Sequence, residues 1–128
     1  MRSYSEIEDK LKEIKIEDFI WIIYIGIIIL SFYSNNLEKK YFLFNDMISK
    51  EKYRKTLILI FSILIVVYFY FLKSSYDSVK ELKDSDTEKK KYLVYLSFIA
   101  SLFIFISGVI FLYVAYYDQD IDVELAFN

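Results

Sequence analysis

The sequence predicts an all-α membrane protein, with three transmembrane helices in a small bundle and helical extensions beyond the bilayer. Three apolar runs, residues 19–33, 57–72 and 92–117, contain no Asp, Glu, Lys, Arg or His. Hydrophobic residues make up 56% of the 128-residue chain, more than is usual in a soluble domain. There is no Pro and there are only two Gly, so the composition favours continuous helices. The length fits one integral membrane domain, residues 1–128.

The lengths of the apolar runs place the spans. The first run would form only about 22 Å of helix, less than the ~30 Å hydrocarbon core, so it needs its flanking residues. The third run exceeds one hydrocarbon thickness, and its surplus is expected in the interfaces, where Tyr is favoured. We therefore predict spans at about residues 17–36, 54–73 and 92–117.

An amphipathic helix is predicted before the first span, over residues 5–18. Ile7, Leu11 and Ile14 recur at i, i+4 and i+7. Ser5 and Glu8 fit a capping box at its start. With no Gly or Pro before the span, this helix should run directly into it and end near residues 34–36.

A helical hairpin is predicted between the second and third spans, over residues 73–92. Tyr76, Val79 and Leu82 keep a three-residue spacing beyond the second apolar run. Ser85 and Glu88 form a second capping-box pattern that would open the third helix. These apolar positions, with those of residues 5–18, would form a small helical bundle above the membrane. That bundle either docks a partner or packs only on itself.

The first loop, residues 35–56, combines apolar and basic residues. Tyr41, Phe44 and Ile48 lie at helical spacing, and the loop contains six Lys or Arg. One interpretation is a short helix lying in the membrane interface. The other is that its aromatic residues pack on the ends of the spans. Ser49 is the predicted N-cap of the second helix.

Small residues mark a helix-packing seam on the third span: Ser97, Ser101, Gly108 and Ala115. In lipid, small side chains let helix backbones approach closely, and Ser hydroxyls form hydrogen bonds between helices. The seam would pack against the first two spans of the same chain, or alternatively against a second copy.

The acidic C-terminal tail, residues 118–128, alternates acidic and mostly apolar residues, which predicts an extended strand. Its apolar side, which includes Ile121, Val123 and Leu125, is a candidate for pairing with a partner's sheet edge. Its acidic side resembles the first ligands of a calcium loop. The sixth position of such a loop should be Gly and is Val123, so the metal candidates are weak: Asp118, Asp120 and Asp122.

The composition excludes most catalytic chemistry. The chain has no Cys and no His, so it lacks thiolate nucleophiles, imidazole bases and the ligands of most zinc and haem sites. We predict no catalytic residue, no cofactor and no small-molecule substrate. No basic stripe with interleaved aromatic residues lies outside the spans, so nucleic acid is not an expected partner. None of the three apolar runs contains Asp or Glu, which argues against a transporter.

Cation counts set the predicted orientation. The N-terminal segment and second loop carry ten Lys or Arg, against six in the first loop and tail. A multi-pass protein of the cell membrane with a cytoplasmic N-terminus and an external C-terminus is therefore expected.

The expected partners are the lipid bilayer and either a membrane protein or a second copy of the chain. The predicted function is that of a non-enzymatic accessory, regulatory or immunity-type subunit acting through protein–protein interaction. The alternative is a homo-oligomeric, holin-like pore lined by Ser97, Ser101 and Ser107, and a small transporter is a weaker third.

Overall fold

A computed structural model describes residues 3–123 and 125 as three long helices. These are α1 (Tyr4–Phe44), α2 (Met47–Lys80) and α3 (Glu88–Tyr117). Each is long and apolar enough to cross a membrane, which confirms the predicted fold class and fits a small multi-pass integral membrane protein. At 1.5 Å per residue the helices measure about 45–60 Å, so each extends beyond a hydrocarbon core of ~30 Å.

Helix α2 lies at the centre of the molecule. It packs against both α1 and α3, whereas no Cα atom of α1 comes within 8 Å of one in α3 over the described residues. Most of the buried side chains accordingly belong to α2, and Phe61 and Tyr53 are only 1% and 2% exposed. Helices α1 and α3 therefore share α2 as their common packing partner.

Helices α2 and α3 are held in antiparallel register by aromatic pairs. Phe61 stacks on Phe111 with ring centroids 5.6 Å apart. Further along the two helices, the ring centroids of Phe69 and Phe105 lie 6.0 Å apart, and those of Tyr76 and Phe98 are also 6.0 Å apart. Such pairs add to the dispersion contacts that drive helix association in lipid, where apolar burial alone gives no preference.

The turn between α1 and α2 is much shorter than the sequence predicts. Helix α1 does not end at residues 34–36 but continues to Phe44, and only Asn45 and Asp46 separate it from α2. The polar side chain of Ser34 does not end the helix, because its hydroxyl donates to the Ser31 carbonyl within the same helix. Asn45 ends it instead, with a left-handed backbone (φ 52°) that Asn tolerates better than most residues.

This turn excludes both interpretations of the first loop. Residues 35–56 form neither an interfacial helix nor a loop folded on the span ends, but the end of one helix and the start of the next. Phe42, Phe44 and Ile48 are exposed at the tip of the resulting hairpin, while Tyr41 is half-buried. The helical spacing of these residues correctly indicated a helix, but it belongs to α1 and α2 themselves.

The helix caps lie a few residues from their predicted positions. Ser3, Asp46 and Thr87 are the N-caps, each accepting a hydrogen bond from a backbone N–H of the first turn, in place of Ser5, Ser49 and Ser85. Asp46 also accepts from the Ser49 hydroxyl at 2.8 Å. This side-chain bond, followed by that from the Ser49 N–H, lowers the pKa of the Asp46 carboxyl below its usual range.

Candidate functional site

The N-terminal extension of α1 carries an exposed apolar stripe, formed by Ile7, Leu11 and Ile14 and called the α1 stripe below. These side chains are 46%, 60% and 41% exposed. At 100° per residue, Leu11 points about 160–180° away from Ile20 and Ile27, the two buried residues of α1 that lie nearest the stripe in the sequence. The α1 stripe therefore faces away from α2, outside the predicted span.

The predicted bundle above the membrane does not form, because the α1 stripe and the second hairpin do not meet. In the second hairpin, Tyr76 is exposed and its ring contacts that of Phe98 in α3. Val79 and Leu82 are half-buried there. The side of α1 that approaches α2 is instead the polar one, where Glu13 lies beside Tyr70 and Lys73. The amphipathic pattern of α1 was predicted correctly, but the prediction that its apolar side packs on the second hairpin is wrong.

The second hairpin contains a groove between the end of α2 and the start of α3. This hairpin groove has a volume of about 430 Å³. It is lined by three hydroxyl side chains, two lysines and two aliphatic residues: Ser78, Thr87, Ser97, Lys89, Lys90, Leu93 and Val94. Ser78, Thr87 and the two lysines precede the third apolar run, the two aliphatic residues lie at its start, and Ser97 lies one helical turn further in. The groove therefore lies where α3 enters the predicted membrane.

The charges around the hairpin groove are unevenly paired. Lys90 binds Asp86 at 3.1 Å and Lys91 binds Glu88 at 3.5 Å. The Lys83 backbone N–H and then the Lys90 ammonium hold the pKa of Asp86 below its usual range. Lys89 makes no ion pair with any residue among 3–123 and 125. One positive charge thus remains uncompensated at the groove.

Three of the four seam residues lie against α2. The Ser101 hydroxyl is 2.8 Å from that of Ser75. Gly108 is buried, and a Cβ placed on it would lie 3.0 Å from Cδ2 of Tyr68. Ala115 is buried in the cluster that contains Leu57.

Ser97, the fourth seam residue, is exposed. It lines both the hairpin groove and a cleft of about 320 Å³ between the three helices. Tyr24 of α1 and Tyr68 of α2 also line this cleft. The part of the seam that lies against α2 therefore extends from Ser101 to Ala115.

At the opposite end of the molecule from the hairpin groove, the C-terminal tail binds the start of α2. Arg54 of α2 donates to the carbonyls of Tyr116 at 2.8 Å and Asp118 at 3.3 Å. Lys50 pairs with Asp120 at 3.3 Å. These contacts, called the tail clasp below, satisfy carbonyl groups that the C-terminus of α3 would otherwise leave without partners. They fasten α3 and the tail to α2.

The predicted strand in the tail is wrong over the residues that the structure describes, 118–123 and 125. The Asp118 carboxylate accepts from the backbone N–H groups of Asp122 and Val123, both at 2.9 Å, which curls the chain into a turn. Leu125 is buried and Ile121 half-buried against the molecule's own core, while Val123 is exposed. An apolar side that covers α2 is not available to a partner's sheet. The rest of that strand prediction, residues 124 and 126–128, lies outside the described residues.

Two of the three weak metal candidates, Asp118 and Asp120, bind other groups of the chain. Both oxygens of Asp118 accept backbone hydrogen bonds, and Asp120 pairs with Lys50. Residues 3–123 and 125 contain no group of three acidic side chains placed to hold a metal ion. The alternation that suggested a calcium loop reflects a turn instead.

Sequence reasoning missed the partners that complete these sites. No pattern in the sequence pairs Arg54, Lys50, Tyr68 or Ser75 with residues elsewhere in the chain. The sequence offers a signal for Arg54, which lies three residues before the second apolar run, close to the level at which α3 must end. No comparable signal distinguishes Ser75 from its neighbour Ser74.

Comparison of the chain with protein-family models, curated proteins and solved structures found no match.

Proposed function

We propose that this chain is a non-enzymatic accessory or regulatory membrane subunit, of which an immunity-type protein is one form. It would act by binding a partner protein through the α1 stripe. The observation that carries the proposal is the direction of the stripe. Ile7, Leu11 and Ile14 point away from α2 beyond the predicted span, so neither α2 nor the hydrocarbon core covers them.

A helical partner suits this surface best. Aliphatic side chains at i, i+4 and i+7 are the pattern by which one amphipathic helix packs against another or into a groove. Charged residues flank the stripe, including Glu8, Lys10, Lys12 and Lys15. Such a rim would fix the register of a partner helix and contribute little to affinity.

Site-specific photocrosslinking tests the proposal. A photoreactive residue at Leu11 should crosslink to one heterologous protein in native membranes. The same residue at Asp9, about 160° around α1, is the matched control and should not. Leu11→Glu should abolish recovery of the complex while leaving the helical content unchanged. Absence of any protein crosslink from Leu11, or equal crosslinking from Asp9, would refute the proposal.

The second candidate is a homo-oligomeric pore. The exposed hydroxyls of Ser97 and Ser107 favour it, because they leave polar groups on an otherwise apolar helix. Ser101 supports it less, since its hydroxyl already meets Ser75 within the chain. A ladder of self-crosslinked products, together with dye leakage from vesicles, would favour the pore over the accessory subunit.

A further inference from the structure

We propose that the hairpin groove binds an anionic phospholipid, with the headgroup phosphate at Lys89 and Lys90 and an acyl chain along Leu93 and Val94. The volume of about 430 Å³ falls within the ~300–1,000 Å³ of typical ligand sites. This site is at the opposite end of α2 from the tail clasp and is separate from the α1 stripe.

The order of polarity along the groove matches that of a lipid. Lys89 and Lys90 lie three and two residues before the charge-free run that begins at residue 92, and the two aliphatic residues lie just inside it. The groove thus places cations at headgroup level and an apolar surface one helical turn deeper. Ser78 and Thr87 add hydroxyl groups on the headgroup side. A soluble phosphate would use only the upper half of this surface.

The charge balance favours an anion. Asp86 and Glu88, the carboxylates nearest the two lysines in sequence, are paired with Lys90 and Lys91. They therefore do not neutralise Lys89, which forms no ion pair within the described part of the chain. The Thr87 hydroxyl accepts from the Lys90 N–H at 3.1 Å, so its own hydrogen remains able to donate to a phosphate oxygen. A zwitterionic headgroup would gain less from this arrangement.

Native mass spectrometry of the full chain, delipidated in mild detergent and titrated with lipid, tests the proposal. Phosphatidylglycerol should bind more tightly than phosphatidylcholine with the same acyl chains. The double substitution Lys89→Gln and Lys90→Gln should weaken phosphatidylglycerol binding by about 5- to 25-fold, from an electrostatic contribution of ~1 kcal/mol per lysine near a membrane surface. The pair Lys89→Arg and Lys90→Arg should retain binding, which separates loss of charge from loss of folding.

Two controls separate this site from general attraction. Lys39→Gln with Lys40→Gln removes two adjacent cations at the other hairpin and should change binding less than 2-fold. Val94→Trp fills the acyl half of the groove and should weaken binding of both lipids. The proposal is overturned if the Lys89 and Lys90 pair binds like the parent chain, or if the Lys39 and Lys40 pair loses as much. It is also overturned if inorganic phosphate displaces the lipid at equal concentration.

Discussion

The two glycines of the chain provide a matched test of how α3 packs. Gly26 in α1 and Gly108 in α3 both lie within predicted spans, yet their surroundings differ. A Cβ at Gly26 would meet no atom within 4 Å, whereas at Gly108 it would lie 3.0 Å from Cδ2 and 3.3 Å from Cε2 of Tyr68. Ile65 lies 3.5 Å away on the same side. The same substitution at the two sites therefore isolates the α2–α3 contact.

The expected magnitudes follow from these distances. Carbon atoms pack at about 3.5–4.0 Å, so an Ala at position 108 requires a separation of ~0.5 Å. That strain roughly offsets the ~1 kcal/mol by which Ala exceeds Gly in helix propensity, and Gly108→Ala should be close to neutral. Gly108→Leu places three more carbons against Tyr68, and overpacking of this kind destabilises by about 1–3 kcal/mol. Gly26→Leu meets open space and should be neutral or slightly stabilising.

Reversible unfolding in mixed micelles, followed by circular dichroism, measures the difference. The free energy of unfolding of Gly108→Leu should lie about 2 kcal/mol below that of Gly26→Leu, a roughly 30-fold change in the equilibrium constant. If the two Leu variants agree within ~0.5 kcal/mol, α3 does not pack on Tyr68 through Gly108. A Tyr68→Ala substitution should relieve the strain of Gly108→Leu, and failure to do so would also contradict the structure.

Three further predictions concern the two ends of α2. Arg54→Met should release the tail and lower the unfolding free energy by about 1–2 kcal/mol, because two hydrogen bonds from a charged donor are lost at a partly exposed site. A spin label at Val123→Cys should become more mobile in Arg54→Met but not in Lys52→Met, and unchanged mobility would exclude the clasp. Ser75→Ala and Ser101→Ala, alone and together, should give a double-mutant coupling of ~0.6 kcal/mol, and additive effects would contradict their hydrogen bond. Because the folded-state pKa of Asp46 is depressed, its ionised form stabilises the fold above the unfolded-state pKa, and this contribution is lost as the pH falls through the folded-state value. Asp46→Asn should therefore reduce the loss of stability below about pH 4, measured by the same unfolding assay, and an unchanged pH profile would refute its capping role.

The sequence predictions were accurate where a structural feature depends on consecutive residues alone. The three spans and the amphipathic pattern of Ile7, Leu11 and Ile14 follow from the hydropathy of consecutive residues. The position of the first turn did not, because Ser34 is polar yet remains helical, with its hydroxyl bonded to the Ser31 carbonyl of the same helix. Cap positions shifted for a related reason, since Ser, Thr and Asp compete for the same backbone N–H groups over a few residues.

For the same reason, the sequence predicted only some of the residues of each candidate site. Each site joins residues that are distant in the chain, such as Arg54 with Tyr116 or Ser75 with Ser101. The tail shows this most clearly, because its alternating pattern is compatible with a strand, a calcium loop or a turn. The two hydrogen bonds to Asp118 and the burial of Leu125 select the turn.

Three charge-free apolar runs, in a chain without cysteine or histidine, follow from the sequence alone, because composition and hydropathy depend on no tertiary contact. Three features became known from the tertiary structure: α2 is the shared neighbour of α1 and α3, Gly108 leaves room for the ring of Tyr68, and the α1 stripe faces away from α2. These features depend on which sides of the helices meet. In lipid that choice rests on close packing and a few hydrogen bonds, and hydropathy does not encode it.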